Sequence, residues 1–108
     1  KTKTLISLGD CAVTANVPAM RNMMGNKTAE PVLERAYIEL ADENPHFPHA
    51  PGIVPELLDR VRPVHEVIPI DIFMPGCPPS ADRIRATLEP LLQGQEPEMV
   101  GREMIKFG

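Results

Sequence analysis

Two residues of this 108-residue chain combine soft-ligand chemistry with a shared local setting: Cys11 and Cys77, its two cysteines. Each follows a short apolar run, Thr4–Leu8 ahead of Cys11 and Ile70–Met74 ahead of Cys77. Such runs, bounded by turn signals, read as strands. Each cysteine is also followed within a few residues by a helix-start signal. In a parallel α/β sheet all strand-to-helix turns leave from the carboxyl edge, where such folds bind their ligands. The topology can therefore bring together two thiols that stand 66 positions apart (77 minus 11).

A thiolate pair at such an edge suits an iron–sulfur centre. Gly9 and Gly76 remove side chains where a bulky inorganic core must approach. Pro75, Pro78 and Pro79 hold the second thiol rigidly and offer sulfur no N–H at their own positions. Spacing alone leaves three other readings open. A cysteine is often a small buried hydrophobe. A Cys11–Cys77 disulfide is a second alternative. A catalytic nucleophile has less support, because no histidine–acid pair adjoins either thiol.

The elements that must position these turns can be followed along the chain. Gly9-Asp10 ends the first strand. Asn16 or Thr14 is placed to cap a short helix through Val17–Asn22, with Pro18 in its first turn and Gly25-Asn26 closing it. From about Pro31 to Asp42, Val32, Leu33, Ala36, Tyr37 and Leu40 recur at helical spacing, leaving Glu34, Arg35, Glu39 and Asp42 mostly on a solvated face. The proline-rich stretch Asn44–Gly52 excludes helix and central strand. A short amphipathic turn over Val54–Val61 and an extended segment over Val64–Ile68 are expected next, with Pro69 breaking the run before Ile70–Met74. Ser80 caps a helix from Ala81 to about Gln93, with Asp82 favourable near its start. Ile84, Leu88, Leu91 and Leu92 form its apolar face, Pro90 should kink it, and Gly94 is a natural stop. The tail from Gln95 to Gly108 has no clear period, yet it carries Met99, Val100, Met104, Ile105 and Phe107.

Composition narrows the classes. The length suits one domain, and 43% apolar residues permit a core. No run approaches the roughly 18 apolar residues of a membrane helix. A net charge of −4 argues against a nucleic-acid backbone binder. Two cysteines are too few for a typical disulfide-stapled secreted domain, so a cytoplasmic setting is expected. The chain opens at Lys1 almost on an apolar run and reads as the C-terminal part of something longer. His46 and His49 stand in the proline-rich loop and His65 precedes an extended segment. No carboxylate or cysteine completes a metal set beside them, so solvated or hydrogen-bonded histidines are expected. Met20, Met23 and Met24 read as gap fillers, with a partner-facing patch as the second reading.

Longer matches carry a resemblance. Gly9-Asp10-Cys11-Ala12-Val13 and Pro75-Gly76-Cys77-Pro78-Pro79 resemble the two downstream cysteine motifs of the nickel–iron hydrogenase small-subunit and complex I 20-kDa subunit superfamily. The segment Asn16–Asn22, the stretch Pro75–Ile84 and the ending Gly101–Gly108 are similar to small (delta) subunits of cytoplasmic NAD-reducing, or bidirectional, hydrogenases. The resemblance covers essentially the whole chain.

It implies the C-terminal part of a flavodoxin-like parallel sheet with flanking helices. Residues 1–94 would belong to the cluster-binding α/β domain, and residues 95–108 would be a partner-docking tail. Cys11 and Cys77 would be two ligands of one proximal 4Fe–4S cluster, with two further cysteines upstream of this chain in a C-x-x-C motif. Asp10 beside Cys11 would lower the cluster potential by its charge, or serve as a helix cap. The subunit would have no catalytic side chains of its own. It would relay electrons between the Ni–Fe site of a separate hydrogenase large subunit and diaphorase subunits that exchange them with NAD(H). Whether a flavin also sits on this subunit is left open by these residues. The rival within the superfamily is a quinone-linked complex I 20-kDa-type relay, against which the Asn16–Asn22 segment and the ending argue. The rival outside it is a non-redox α/β interaction module with structural cysteines.

Overall fold

A computed structural model describes residues 2–25 and 29–108. Asn26, read as closing the first helix with Gly25, lies outside the described residues. The chain forms two compact units, Lys1–Val17 with Arg62–Gly108, and Pro18–Val61.

In the first unit, β1 (Ile6–Leu8) and β2 (Ile72–Met74) pair in parallel, with Ile6 opposite Ile72, Ser7 opposite Phe73 and Leu8 opposite Met74. Both strands are shorter than the apolar runs that announce them. At the entry end, Leu5 N–H donates to the Asp71 carboxylate at 2.8 Å, and Asp71 N–H returns a bond to the Leu5 carbonyl at 3.0 Å. Met74 is fully buried, with Ser7 at 2% exposure, whereas Leu8 is 53% and Phe73 39% exposed.

Helix α1 (Asp10–Thr14) starts directly at the end of β1 and packs against both strands and the 3-10 turn Val64–Glu66. It precedes the short helix expected over Val17–Asn22, which forms as a 3-10 helix. Thr14, expected to cap it, instead donates its hydroxyl to the Asp10 carbonyl inside α1 at 3.0 Å. Ala15 then ends α1 in the left-handed region at φ 63°, and Pro18–Met24 is a 3-10 helix. Val64–Glu66 is a turn where the sequence predicts extended chain. It begins on Pro63, whose fixed φ and carbonyl seat the first bond, Glu66 N–H to Pro63 O at 3.1 Å.

A longer helix, α3 (Ala81–Leu92), is bounded as its sequence predicts. Ser80 Oγ accepts from Arg83 N–H at 3.2 Å. At the other end Gly94 sits at φ 75°, Gly94 N–H donates to Leu91 O at 3.1 Å, and Gln95 N–H donates to Pro90 O at 2.8 Å. That pair is a Schellman closure. The buried stripe is not the expected apolar one: Arg83 and Thr87 are buried, while Leu88 is 41% and Leu92 87% exposed. Backbone carbonyls satisfy Arg83 and Thr87, which removes the usual objection to burying them. A short helix, α4 (Arg102–Ile105), follows Gly101. Four residues are too few for a helical period to show in sequence.

In the second unit, α2 (Ala29–Glu34) passes into a π-helical turn, Arg35–Glu39, closed by Leu40 N–H to Arg35 O at 3.2 Å. The expected helix to Asp42 therefore ends early. The wider turn brings Leu33 and Ile38 to half-buried positions, and Tyr37 and Leu40 are exposed. Asn22 clamps the unit: its side-chain amide donates to Val61 O at 2.9 Å and its oxygen accepts from Val61 N–H at 2.8 Å. Arg21 Nη2 adds a bond to Leu58 O at 2.7 Å. Among the described residues no helix is long and apolar enough to cross a membrane.

Candidate functional site

Cys11 stands three positions beyond Leu8, and Cys77 three beyond Met74; Leu8 and Met74 face each other in the ladder. Both thiols therefore leave the same edge of one parallel pair at equal offsets. Both are free and exposed. Cys11 lies in the first turn of α1 rather than ahead of a helix, while Cys77 lies in the turn before α3.

The backbone under the thiols is cross-tied. Gly9 N–H continues the ladder to Met74 O at 2.8 Å. Asp10 N–H donates to Gly76 O at 2.9 Å, and Gly76 N–H donates back to Asp10 Oδ1 at 2.5 Å. The residues just before the two cysteines are thus joined by a reciprocal pair of bonds. Pro75, Gly76 and Pro79 are buried, so the second turn presents Cys77 and Pro78 outward from a packed base. The Cys77–Pro78 peptide is cis.

Gly76 has a different role from the one its sequence suggests. It sits at φ 138°, and a Cβ there would lie 2.5 Å from Pro79 Cα and 2.6 Å from Pro79 N. The space a side chain would need is taken by the turn itself, not reserved for an incoming group. At Gly9 (φ 85°) a Cβ would meet only an ordinary 3.5 Å contact with Gly76 O. The positive φ is what glycine serves there.

Asp10 is 5% exposed. It does not cap α1, whose N-cap is Gly9. Its second oxygen accepts from Gly108 N–H at 2.9 Å. Arg83, 8% exposed, directs Nη1 at the carbonyls of Pro75 and Lys106, the latter at 2.8 Å, and Nε at the carbonyl of Glu103 at 2.6 Å. Sequence reasoning passes over Arg83. The one signal is its place three residues after the Ser80 cap, inside the motif that carries Cys77.

His46 Nδ1 is 2.6 Å from the Asn44 carbonyl, and His49 lines an open groove of the second unit with Tyr37 and Phe47. His65 packs edge-on against Phe73 with ring centroids 5.6 Å apart. Among the described residues no group of three or more His, Cys, Asp or Glu side chains is placed to hold a metal ion. Two exposed thiols on a braced edge fit two corners of a thiolate-held cluster, and no more than two.

Comparison with known proteins places this parallel pair and its two cysteine turns in a family. The chain belongs to the family described as NADH ubiquinone oxidoreductase, 20 Kd subunit, which matches residues 1–91. Among individual relatives, it is 42% identical over 95 residues to the delta subunit of the NAD-reducing hydrogenase HoxS of Cupriavidus necator, covering 84% of this chain and 44% of that protein. It is 38% identical over 104 residues to a subunit of the F420-non-reducing hydrogenase of Methanothermobacter marburgensis, covering 92% of this chain and 32% of that protein. It superposes on a chain of the crystal structure of NAD+-reducing NiFe-hydrogenase in the H2-reduced state with a TM-score of 0.80 and 31% identity, covering 98% of this chain and 58% of that one. The expected superfamily is therefore the right one, and these relatives are hydrogenase subunits. The chain spans less than half the length of these two curated relatives.

Proposed function

We propose that this chain is the electron-transfer subunit of a nickel–iron hydrogenase, with Cys11 and Cys77 as two thiolate ligands of a proximal 4Fe–4S cluster. The observation that carries the reading is the pairing of the two cysteine turns: equal offsets from facing strand ends, both thiols exposed, and a reciprocal Asp10–Gly76 bond pair beneath them. The cluster, when bound, supplies one-electron transfer. The chain's own residues supply placement. The ladder sets the spacing of the turns, the buried Pro75-Gly76 base holds Cys77 outward, and α1 carries Cys11.

The remaining two ligands would come from outside these 108 residues. They would belong to a flavodoxin-like sheet in which β1 and β2 are neighbouring strands, and whose other members would cover the exposed Leu8 and Phe73. Electrons would pass between the Ni–Fe site of a large subunit and an NAD(H)-linked diaphorase in a cytoplasmic complex. The 42% identity to a subunit of an NAD-reducing hydrogenase supports that direction. The exposed Met20, Met23 and Met24, and Val100, Ile105 and Phe107 in the tail, would face partner subunits. A quinone-linked relay is the second reading, supported by the family's description.

The test is Cys11→Ser and Cys77→Ser in the full-length complex. Hydrogen-dependent NAD reduction is expected to fall at least about tenfold, because serine keeps the size but loses the soft thiolate. NADH oxidation with an artificial acceptor, which needs only the diaphorase, should persist. Unchanged hydrogen-dependent turnover in both variants would end the relay reading.

A further inference from the structure

We propose that the C-terminal segment Gly101–Gly108 is a strap that positions the two cysteine turns, fastened by two buried charged residues, Arg83 and Asp10. The inference rests on the reading of Cys11 and Cys77 as cluster ligands.

Arg83 joins the strap to the Cys77 turn, and Asp10 joins it to both turns. Arg83 bridges the Pro75 carbonyl, two residues before Cys77, to the carbonyls of Glu103 and Lys106. Asp10, one residue before Cys11, bridges the amide of Gly76 to that of Gly108. Both groups are nearly excluded from solvent, at 8% and 5% exposure. A buried charge is tolerated only where its hydrogen bonds are made. The partners here are backbone groups of the strap and the turns. Charge-assisted bonds are the stronger kind, and three carbonyls gathered by one guanidinium need its planar fork. Thr87 supports the same face: fully buried, it donates to the Arg83 carbonyl at 2.9 Å, and Met99 Sδ lies 3.6 Å from its hydroxyl. This arrangement ties the last residues of the chain to the backbone that carries the thiols.

Arg83 and Asp10 are accordingly positioning residues, and their opposite charges give them separable signatures. Loss of the guanidinium removes a positive charge beside the Cys77 turn and should lower the cluster midpoint potential. Loss of the carboxylate removes a negative charge beside Cys11 and should raise it.

The experiment uses the full-length hydrogenase complex with Arg83→Gln, Arg83→Lys, Asp10→Asn and a chain ending at Val100. Amide hydrogen exchange at Gly76, whose N–H is held by Asp10, should quicken about tenfold in Arg83→Gln and in the shortened chain, as expected when a local opening is made easier by losing a buried charge-assisted bond. Iron release to a chelator should quicken alongside it. Arg83→Lys keeps the charge but not the fork. It should hold the potential near the parent value while exchange stays fast, which a purely electrostatic role would not produce. If Arg83→Gln disrupts assembly, Arg83→Lys and Asp10→Asn carry the same readouts. Parent-like exchange, iron release and potential in the variants that assemble would overturn the strap. If instead the cysteine variants leave the cluster intact while Arg83→Gln still loosens the turns, the ligand reading fails and the strap survives as a brace of the two turns.

Discussion

Asp10 and Gly76 hold one another across the sheet edge: the Asp10 amide donates to the Gly76 carbonyl at 2.9 Å, and the Gly76 amide donates to the Asp10 carboxylate at 2.5 Å. Each immediately precedes a cysteine. The backbones that lead into the two cysteines are thereby tied directly to each other. That is the rigidity a multi-ligand site requires.

The two glycines of these turns should differ in their tolerance of a methyl group. In Gly76→Ala the new Cβ meets Pro79 backbone at 2.5 Å, which the turn can relieve only by moving. The loss should be roughly 3 kcal/mol or more, above the ordinary cost of a strained residue. Gly9→Ala meets only a 3.5 Å contact, so its cost should be the backbone alone, which at φ 85° and ψ 157° lies in a region essentially reserved to glycine and costs about 1–3 kcal/mol. Thermal unfolding of the two variants in the full-length subunit should rank them in that order. Equal losses would show that Pro79 is free to shift.

Serine at either cysteine should act on the cluster more than on the fold. Both cysteines are free and exposed, so serine changes little buried surface. Melting temperatures of Cys11→Ser and Cys77→Ser, measured on cluster-free subunit, should stay within about 0.5 kcal/mol equivalent of the parent, as for ordinary surface substitutions. The iron content of the assembled complex should fall in both. A large loss of cluster-free stability would instead assign the cysteines a structural role.

The 108-residue chain alone should not retain a four-iron cluster. Two thiolates can occupy two irons, and no third cysteine is present. Leu8 and Phe73 on the strands are exposed, which favours self-association. Anaerobic reconstitution with iron and sulfide, followed by gel filtration, should yield labile or intermolecular cluster that mild chelation removes. A monomer holding four irons and four sulfides per chain would contradict the assignment of the remaining ligands to residues outside it.

The helix behind the second cysteine should depend on its cap. Ser80→Ala removes the acceptor for Arg83 N–H and should cost about 1 kcal/mol. Because α3 also carries Arg83, fraying should be seen as faster amide exchange at Arg83 and Ile84. Exchange unchanged there would mean that tertiary contacts alone hold the first turn.

Local chemistry is what the sequence by itself determined. Ser80 and Gly94 bound α3 because a cap and a left-handed stop act within four residues of themselves. Cys11 and Cys77 could be placed on one edge because parallel strands share the direction of their exits. Other features depended on contacts that sequence proximity does not encode. The shift of Cys11 into α1 followed from Gly9 continuing the ladder to Met74, a partner far along the chain. Asp10 became a bridge because Gly76 and Gly108, 66 and 98 positions away, came within reach of its carboxylate. The apolar pattern of α3 assigns Arg83 no role, and its burial was decided by three carbonyls that no periodic pattern announces. Apolar periodicity reports which face of a helix would prefer to be covered. Only the tertiary structure settled that backbone groups would cover Arg83 and Thr87 while Leu88 and Leu92 stayed outside, because satisfying a buried polar group requires partners whose positions exist only once the chain has folded.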